Sequence, residues 1–236
     1  MPIAAPSGTV FSEGDVELIR LLGDIGFIKY SKKPFPLKSG VKSHVYVYGR
    51  EDLTTNVNAL WAIGEKVVQT AEAVMRRERD TRQALFVGLP TAGTPLAQAA
   101  AMVDWVKGYF LTPSAFMQMR SIRKLTHGVH ESWLIGKPDM TKQRLFSVDN
   151  VATDGGTKFE MGDRFAEDSI DPLTIDNIIL VDRQQGAVRR MIEHGYKKPI
   201  VIFNLLDLTF VFGQQGTWPT EAVAQVEKEI AEHQFA

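Results

Sequence analysis

The stretch LFSVDNVATDGGTK, residues 145–158, restricts the possible folds more than any other part of the chain. Its apolar first half predicts a buried β-strand, Gly155 and Gly156 predict a tight turn, and a helical pattern begins at Lys158. A strand, a glycine turn and a helix N-terminus leave several backbone N–H groups aimed at one point. Because the helix dipole favours negative charge there, the stretch predicts a cradle for a phosphate monoester.

Polar side chains around this cradle indicate what else the ligand carries. Thr153 and Thr157 add hydroxyl donors, and Asp149 and Asn150 end the predicted strand. In open α/β sheets ligands bind at the carboxyl ends of strands, so a sugar with hydroxyl groups beside its phosphate suits this position. The alternative is an ordinary strand–loop–helix connection whose glycines only make a turn.

The overall composition excludes several functional classes. The chain has 236 residues, of which 44% are hydrophobic, enough for one sizeable core or one core and a small appendage. Its 27 basic and 28 acidic residues give a net charge of −1, so no global field recruits nucleic acid. We find no cysteine, no secretory signal and no apolar run near the roughly 20 residues of a membrane span. We therefore expect a cytoplasmic protein that binds neither nucleic acid nor a membrane.

Strand and helix patterns alternate along most of the chain. This alternation predicts an α/β fold whose mostly parallel, twisted sheet is flanked by helices on both faces. Besides the strand before the glycine turn, buried strands are predicted at Ala84–Leu89 and Ile178–Val181, and further strands at Phe116–Met119 and Ile200–Leu205.

A long basic segment, RSIRKLTHGVHESWLIG, follows the strand predicted at Phe116–Met119. It has no clear period, and a connection of this length inside a compact domain is usually functional or mobile. Its cationic side chains suit a lid that closes on an anion: Arg120, Arg123, Lys124, His127 and His130. The alternative is an exposed basic loop without a role.

The sequence VDNVATDGGT resembles the loop that binds phosphoribosyl diphosphate (PRPP) in the type I phosphoribosyltransferases. In that family two acids at the end of a strand hold the ribose hydroxyls, and the next loop wraps the 5′-phosphate. The resemblance implies that Asp149 and Asn150 are catalytic and contact the ribose, with Asn150 standing where the family has its second acid. It implies that the following residues contact the phosphate: Thr153, Asp154, Gly155, Gly156 and Thr157.

Two further motifs are similar to those of the orotate phosphoribosyltransferases within this family. FPLKSGVKSHVYVY resembles their N-terminal hood hairpin, which implies that Lys38 reaches both substrates and that Tyr46 and Val47 hold the base. The loop with Thr91 and Ala92 resembles the one whose backbone touches the pyrophosphate of PRPP. Many members of the family carry a lysine where this chain has Ala92.

The DRQQG stretch and the basic lid are also similar to motifs of the orotate phosphoribosyltransferases. DRQQG, residues 182–186, resembles a stretch whose arginine binds orotate, which implies that role for Arg183. The lid resembles the flexible catalytic loop, which implies that Lys124 and His127 are catalytic and contact PRPP. Either Arg120 or Arg123 fills the arginine position, which implies that this arginine also contacts PRPP. In the family this loop, here residues 120–136, crosses to the neighbouring subunit's site, which implies a homodimer.

Together the resemblances imply one phosphoribosyltransferase domain over residues 1–236. Its hood would take roughly residues 1–53 and the C-terminal segment, and its core roughly residues 54–212. The implied reaction transfers the phosphoribosyl group of PRPP to orotate and gives orotidine 5′-phosphate and pyrophosphate. Mg²⁺ is the implied cofactor, bound mainly through PRPP, with Asp149 as the candidate protein ligand.

Three functional hypotheses remain open from the sequence. An orotate enzyme of pyrimidine synthesis is favoured by the lid, because a mere binder needs neither a long lid nor His127. Asn150 and Ala92 suit a second class, a homologue that binds PRPP or a nucleotide as a regulator without turnover. The third is a phosphoribosyltransferase for another base. Thr153 with Arg183 argues against purines, because this pair suits an anionic base such as orotate.

Overall fold

A five-stranded parallel sheet lies at the centre of the computed structural model, which describes residues 1–36, 40, 42–47, 55–219 and 221–235. The strands are β1 (Ile3–Ala4), β2 (Val10–Phe11), β3 (Ile28–Pro36), β4 (Lys42–Val47), β5 (Gln83–Gly88), β6 (Ala115–Gln118), β7 (Leu125–Thr126), β8 (Val129–His130), β9 (Gln143–Ala152), β10 (Asp176–Asp182) and β11 (Ile200–Asn204). The α-helices are α1 (Glu13–Asp24), α2 (Val57–Glu78), α3 (Gly93–Lys107), α4 (Gly156–Glu167), α5 (Ala187–Glu193), α6 (Leu205–Gln214) and α7 (Glu221–Glu232).

The central sheet has the strand order β11-β10-β9-β5-β6, and every neighbouring pair is parallel. The predicted α/β fold with a mostly parallel sheet is therefore confirmed. The order of strands reverses between β5 and β9, because β6 lies outside β5 while β10 and β11 lie outside β9. Doubly wound sheets bind ligands at the crevice where this reversal occurs.

Helices cover both faces of the sheet because the strands are apolar on both sides. On one face Phe86 and Phe146 pack with their ring centroids 5.9 Å apart, in the cluster that includes residues of α2 and α3. On the other face Leu85 and Leu145 belong to a second cluster that includes Met161 of α4. Alternation along β9 therefore turns Asp149 toward the α4 face, where its partner proves to lie.

A separate antiparallel hairpin, β3–β4, forms the N-terminal hood beside the core. Its register shifts between Tyr30 and Phe35, and it closes with Pro36 opposite Lys42. Helix α7 packs against β4 and α6, so the C-terminal segment joins the hood to the core. Lys38, which the resemblance places on both substrates, lies outside the described residues. Within the described ranges, none of the helices combines the length and apolar character needed to cross a bilayer.

Candidate functional site

The loop after β5 crosses tightly over the end of β9 at the point where the strand order reverses. The Leu89 amide donates to the Val148 carbonyl at 2.9 Å. A Cβ built on Gly93 would lie 2.1 Å from the same carbonyl oxygen, so only glycine allows α3 to begin here. Thr91 is exposed and Ala92 is buried, and the peptide bond between Pro90 and Thr91 is cis. The loop assigned to pyrophosphate therefore forms one wall of a crevice.

The predicted phosphate cradle follows β9, the strand that neighbours β5 at this reversal. Gly155 takes a left-handed conformation, with φ of 84°, and α4 begins at Gly156. Within the described part of the chain, the amides of Gly155 and Thr157 and the hydroxyls of Thr153 and Thr157 have no protein hydrogen-bond partner. These donors meet at the positive end of a 12-residue helix, so they remain available to an anion.

Asp154 occupies part of this cradle. Its Oδ1 accepts a hydrogen bond from the Gly156 amide at 3.1 Å, in the manner of an aspartate that caps a turn. Its carbonyl oxygen accepts from Arg190 Nη1 at 2.6 Å, which ties the loop to α5. A carboxylate thus satisfies one helix N-terminal amide. An incoming phosphate has to displace that carboxylate or bind beside it.

Asp149 and Asn150, for which the resemblance implies contact with the ribose, lie near the carboxyl end of β9. Both are buried, and the Asn150 amide N–H donates to Asp149 Oδ1 at 2.8 Å. Across the described residues, the side chain of Asn150 has no protein hydrogen-bond partner. The Asn150 amide group is therefore free to bond a ligand, although it carries no charge.

Lys158 is a site residue that the sequence analysis missed. It is the third residue of α4 and is only 4% exposed, and its ammonium donates to Asp149 Oδ2 and to the Val151 carbonyl. A lysine in the first helical turn is usually solvated, so sequence alone gave no reason to connect it with the strand end. Its side chain instead passes beneath the loop and forms a buried ion pair with the predicted ribose acid.

The residues at the carboxyl end of β9 do not fit a protein-bound divalent cation. Each oxygen of Asp149 already accepts one hydrogen bond, and the Lys158 ammonium would repel a cation placed on that carboxylate. Asn150 contributes no second negative charge. Across the described ranges, no group of three or more histidine, cysteine, aspartate or glutamate side chains forms a metal site.

Arg183 is buried and directed into the hood. Its Nε donates to Gln185 Oε1 at 3.1 Å, its Nη1 to the Val45 carbonyl at 3.0 Å and its Nη2 to Ser43 Oγ at 2.8 Å. Desolvation lowers the pKa of Arg183 to about 10, while Glu229 opposes that shift, so the guanidinium remains charged at neutral pH. Arg183 therefore holds strand β4 against the core.

The hood residues assigned to the base differ in their environments. Val47 is buried in the main hydrophobic cluster, and Tyr46 is half-buried with its ring 5.6 Å from that of Phe35. Ser43 Oγ donates to Glu229 at 2.7 Å while it accepts from Arg183. A continuous buried network therefore connects α7, the hood strand and the DRQQG loop.

The basic segment contains a small hairpin that its aperiodic sequence did not predict. Strands β7 and β8 pair antiparallel around His127 and Gly128, and both turn residues have positive φ, as in a type I′ turn. The His127–Gly128 pair was the available sequence signal, because glycine suits that turn. His127 and Lys124 are exposed on the hairpin, and Arg120 is half-buried at its base, where its Nε donates to the Ser132 carbonyl.

The base of this hairpin is fixed to the C-terminal end of α4. Arg123 pairs with Glu167 at 2.6 Å and lies over the ring of Trp133, whose indole N–H donates to the same carboxylate. The amides of Trp133 and Leu134 donate to Asp168. Because the 12 residues of α4 span about 18 Å, the anchor lies far from the phosphate cradle at the helix N-terminus.

A cavity lies at the carboxyl end of β10 and along helix α5. Its volume is about 610 Å³, and its lining residues include Asp182, Gln184, Arg189, Lys198 and Gln234. None of the predicted site residues lines it. Burial raises the pKa of Asp182, an effect that the Gln184 amide and the Lys158 charge partly offset.

No protein-family model matches this chain, and none of the curated proteins matches it. The chain is, however, similar to several solved structures. The chain is similar to the UMP synthase of Leishmania donovani, with a TM-score of 0.71, 21% identity, and coverage of 92% of this chain but 42% of that one. It is similar to the orotate phosphoribosyltransferase of Francisella tularensis, with a TM-score of 0.66, 16% identity, and coverage of 92% and 99%.

A third similar structure is the orotate phosphoribosyltransferase of Mycobacterium tuberculosis in complex with PRPP. Its TM-score is 0.53 and its identity is 19%, with coverage of 82% of this chain and 97% of that one. At such identities the similarities establish the architecture. The chain has the type I phosphoribosyltransferase fold, an α/β sheet flanked by helices with a small N-terminal hood.

Proposed function

We propose that this chain is an orotate phosphoribosyltransferase, which converts PRPP and orotate into orotidine 5′-phosphate and pyrophosphate in pyrimidine synthesis. The observation that carries the proposal is the phosphate cradle at residues 153–157 beside Asp149, at the point where the strand order reverses. The motifs resemble those of the orotate enzymes and occur in the same order along the chain, which supports orotate as the base.

PRPP would lie along the crevice with its three functional groups in three places. The 5′-phosphate would accept from the free amides of Gly155 and Thr157. A carboxylate has about four acceptor sites, of which Asp149 uses two within the protein, so two remain for the ribose diol. The diphosphate would then extend toward the loop of Thr91 and Ala92.

The reaction breaks the bond between the anomeric carbon and the pyrophosphate oxygen, and N1 of orotate forms the new bond to that carbon as its proton passes to the departing pyrophosphate. The carbon passes through an oxocarbenium-like state. Lys124 and His127 on the lid would stabilise the negative charge of the departing pyrophosphate. Closure of the lid would exclude water, which otherwise hydrolyses PRPP. Mg²⁺ would accompany the diphosphate of PRPP and supply counter-charge there.

Orotate recognition would rest on Thr153 and Arg183. The Thr153 hydroxyl has no protein hydrogen-bond partner within the described residues. Because position 153 holds a threonine and not an acid, it does not repel the orotate anion. Arg183 uses three of its five N–H groups within the protein, two on the hood strand β4 and one on Gln185, so two N–H groups and its charge remain for the orotate carboxylate. Through its bonds to Val45 and Ser43, Arg183 would also position strand β4, which carries Tyr46.

The lid's anchor supports a homodimer in which the lids are exchanged between subunits. The hairpin begins at the end of α4 remote from the chain's own cradle, so a neighbouring site is the fitting target. Large apolar side chains of α3 and the loop after it are exposed and could be covered by a second subunit: Met102, Trp105, Val106 and Leu111.

Mixing two inactive variants tests the lid exchange. We expect His127→Ala, which removes a lid residue, and Asp149→Asn, which removes the ribose acid, each to abolish most of the transfer. Random reassembly after co-expression gives mixed dimers in which one site is intact, so roughly a quarter of wild-type activity should return. Activity that stays at the level of the separate variants would mean that each lid serves its own subunit.

A panel of bases tests the proposed substrate. The purified protein is incubated with PRPP and Mg²⁺ and with orotate, uracil, adenine or hypoxanthine, beside an Asn150→Asp variant. We expect consumption of orotate alone, with equal or faster turnover in the variant. Turnover of a purine in place of orotate would contradict the assignment of Thr153 and Arg183.

The second candidate is a regulator that binds PRPP or a nucleotide without turnover. The observation that favours it is the neutral ribose end, where Lys158 is paired with Asp149 and an amide stands at Asn150. Such an end stabilises a developing positive charge less than two carboxylates do. Activity in Asn150→Asp together with an inactive wild type would support this candidate.

A further inference from the structure

The buried ion pair of Lys158 and Asp149 bears on whether a ligand at this strand end needs a divalent cation. We propose that Lys158 is a positioning residue that supplies the positive charge for the ribose-binding acid, so that the ribose end binds its ligand without a divalent cation. The inference rests on the proposed function, because it assumes that a ribose 5-phosphate group binds in this crevice.

The first support is the geometry of the pair. Lys158 is 4% exposed and Asp149 is 7% exposed, and the ammonium contacts the carboxylate directly. A second bond from Lys158 to the Val151 carbonyl fixes the ammonium beneath the loop. Because the backbone and the strand end both hold it, the ammonium remains beside Asp149 without a ligand.

The second support is the count of charges at this end of the crevice. Asp149 contributes −1, Lys158 contributes +1 and Asn150 contributes none, so the sum is zero. The next acid, Asp182, ends β10 and turns to its own loop, where Oδ1 accepts from the Gln184 amide at 3.0 Å. A site with no excess negative charge attracts no cation, and the nearby ammonium opposes one.

The pairing leaves Asp149 competent to bind a sugar. Oδ1 accepts from the Asn150 amide N–H and Oδ2 from Lys158, so each oxygen retains one acceptor site. Those two sites can receive the two hydroxyls of a ribose diol. Lys158 thus keeps the buried carboxylate compensated and oriented, and it acts on the ligand only through Asp149.

The test is calorimetric titration of orotidine 5′-phosphate, in EDTA and in Mg²⁺. This nucleotide carries the ribose diol and one phosphate but no diphosphate, so any need for Mg²⁺ must arise at the protein. We expect the wild type to bind with the same affinity in both buffers. We expect Lys158→Met to bind roughly ten-fold more weakly in EDTA and to recover part of that loss in Mg²⁺.

Three further variants make the test decisive. Lys66→Met removes a different ion pair, that with Asp15 between α1 and α2, and should leave both titrations unchanged. Lys158→Arg keeps the charge and should restore binding in EDTA. If Lys158→Met does not fold, Asn150→Asp adds a negative charge while it keeps the lysine, and it should likewise make binding depend on Mg²⁺.

The outcomes separate this inference from the proposed function. A wild type that binds orotidine 5′-phosphate only with Mg²⁺ would overturn the role of Lys158 and leave the proposed function intact. Lys158→Met or Asn150→Asp variants whose binding is indifferent to Mg²⁺ would overturn it as well. A wild type that binds neither this nucleotide nor PRPP in either buffer would instead refute the proposed function.

Discussion

Replacing Glu229 with alanine is expected to lower the free energy of unfolding by about 3 kcal/mol, because a buried charged network loses its acid. Glu229 is 6% exposed and receives hydrogen bonds from Ser43 Oγ at 2.7 Å and from the His44 amide at 3.0 Å. It also compensates the charge of Arg183, which donates to the same serine. The variant would leave buried donors unpaired where the hood meets the core.

Urea unfolding of Glu229→Ala beside Glu232→Ala measures this effect. Glu232 lies on the same helix, is exposed, and pairs only loosely with Lys228 at 3.7 Å, so its removal should cost at most a few tenths of a kcal/mol. Equal midpoints for the two variants would mean that the network contributes little. The hood would then be held by apolar packing alone.

The same network predicts how stability depends on pH. Burial alone would raise the pKa of Glu229, but hydrogen bonds from Ser43, His44 and Gln225 outweigh it and leave that pKa below its usual value. A lowered folded-state pKa gives stability that is present above the unfolded-state value and is lost as pH falls through the folded-state value. Glu229→Gln should therefore flatten the acid side of the stability profile, which stepwise acid unfolding would reveal.

Asp149→Asn is expected to reduce transfer of the phosphoribosyl group roughly hundred-fold, because the ribose loses its one carboxylate. It should also lower the free energy of unfolding by about 3 kcal/mol, because the buried Lys158 ammonium loses its counter-ion. Steady-state rates and urea unfolding on the same preparation separate the two effects.

Asp163→Asn is the matched control for this variant. Asp163 is exposed on α4, the helix that also carries Lys158, so it should change neither rate nor stability by much. An Asp149→Asn variant with wild-type rates would contradict the assignment of the ribose to this strand end. A variant with wild-type stability would mean that Lys158 finds another partner.

Local signals in the sequence were sufficient to predict the strand, turn and helix that form the crevice. The apolar run before Asp149 and the glycine pair at 155–156 predict a strand, a turn and a helix N-terminus, and β9 and α4 form there. Alternating strands and helices predict the parallel sheet. These features depend on residues close together in the chain, so periodicity and turn chemistry reveal them.

Contacts between distant residues were beyond the reach of such signals. Arg183 bonds to Ser43 and Val45, some 140 positions earlier, and Ser43 bonds to Glu229, 186 positions later. Lys158 is near Asp149 in sequence, but only the path of its side chain under the loop brings the two charges together. Pairing of this kind depends on the packed tertiary structure rather than on local propensity.

The most direct test of the central claim is a rapid mixing experiment on the purified wild type. Protein, PRPP and Mg²⁺ are mixed with orotate, and orotidine 5′-phosphate and pyrophosphate are measured over time. The account predicts that both products appear in equal amounts and at a rate that depends on orotate. PRPP that binds and stays intact in the presence of orotate would contradict the enzyme and leave a binding protein on this fold.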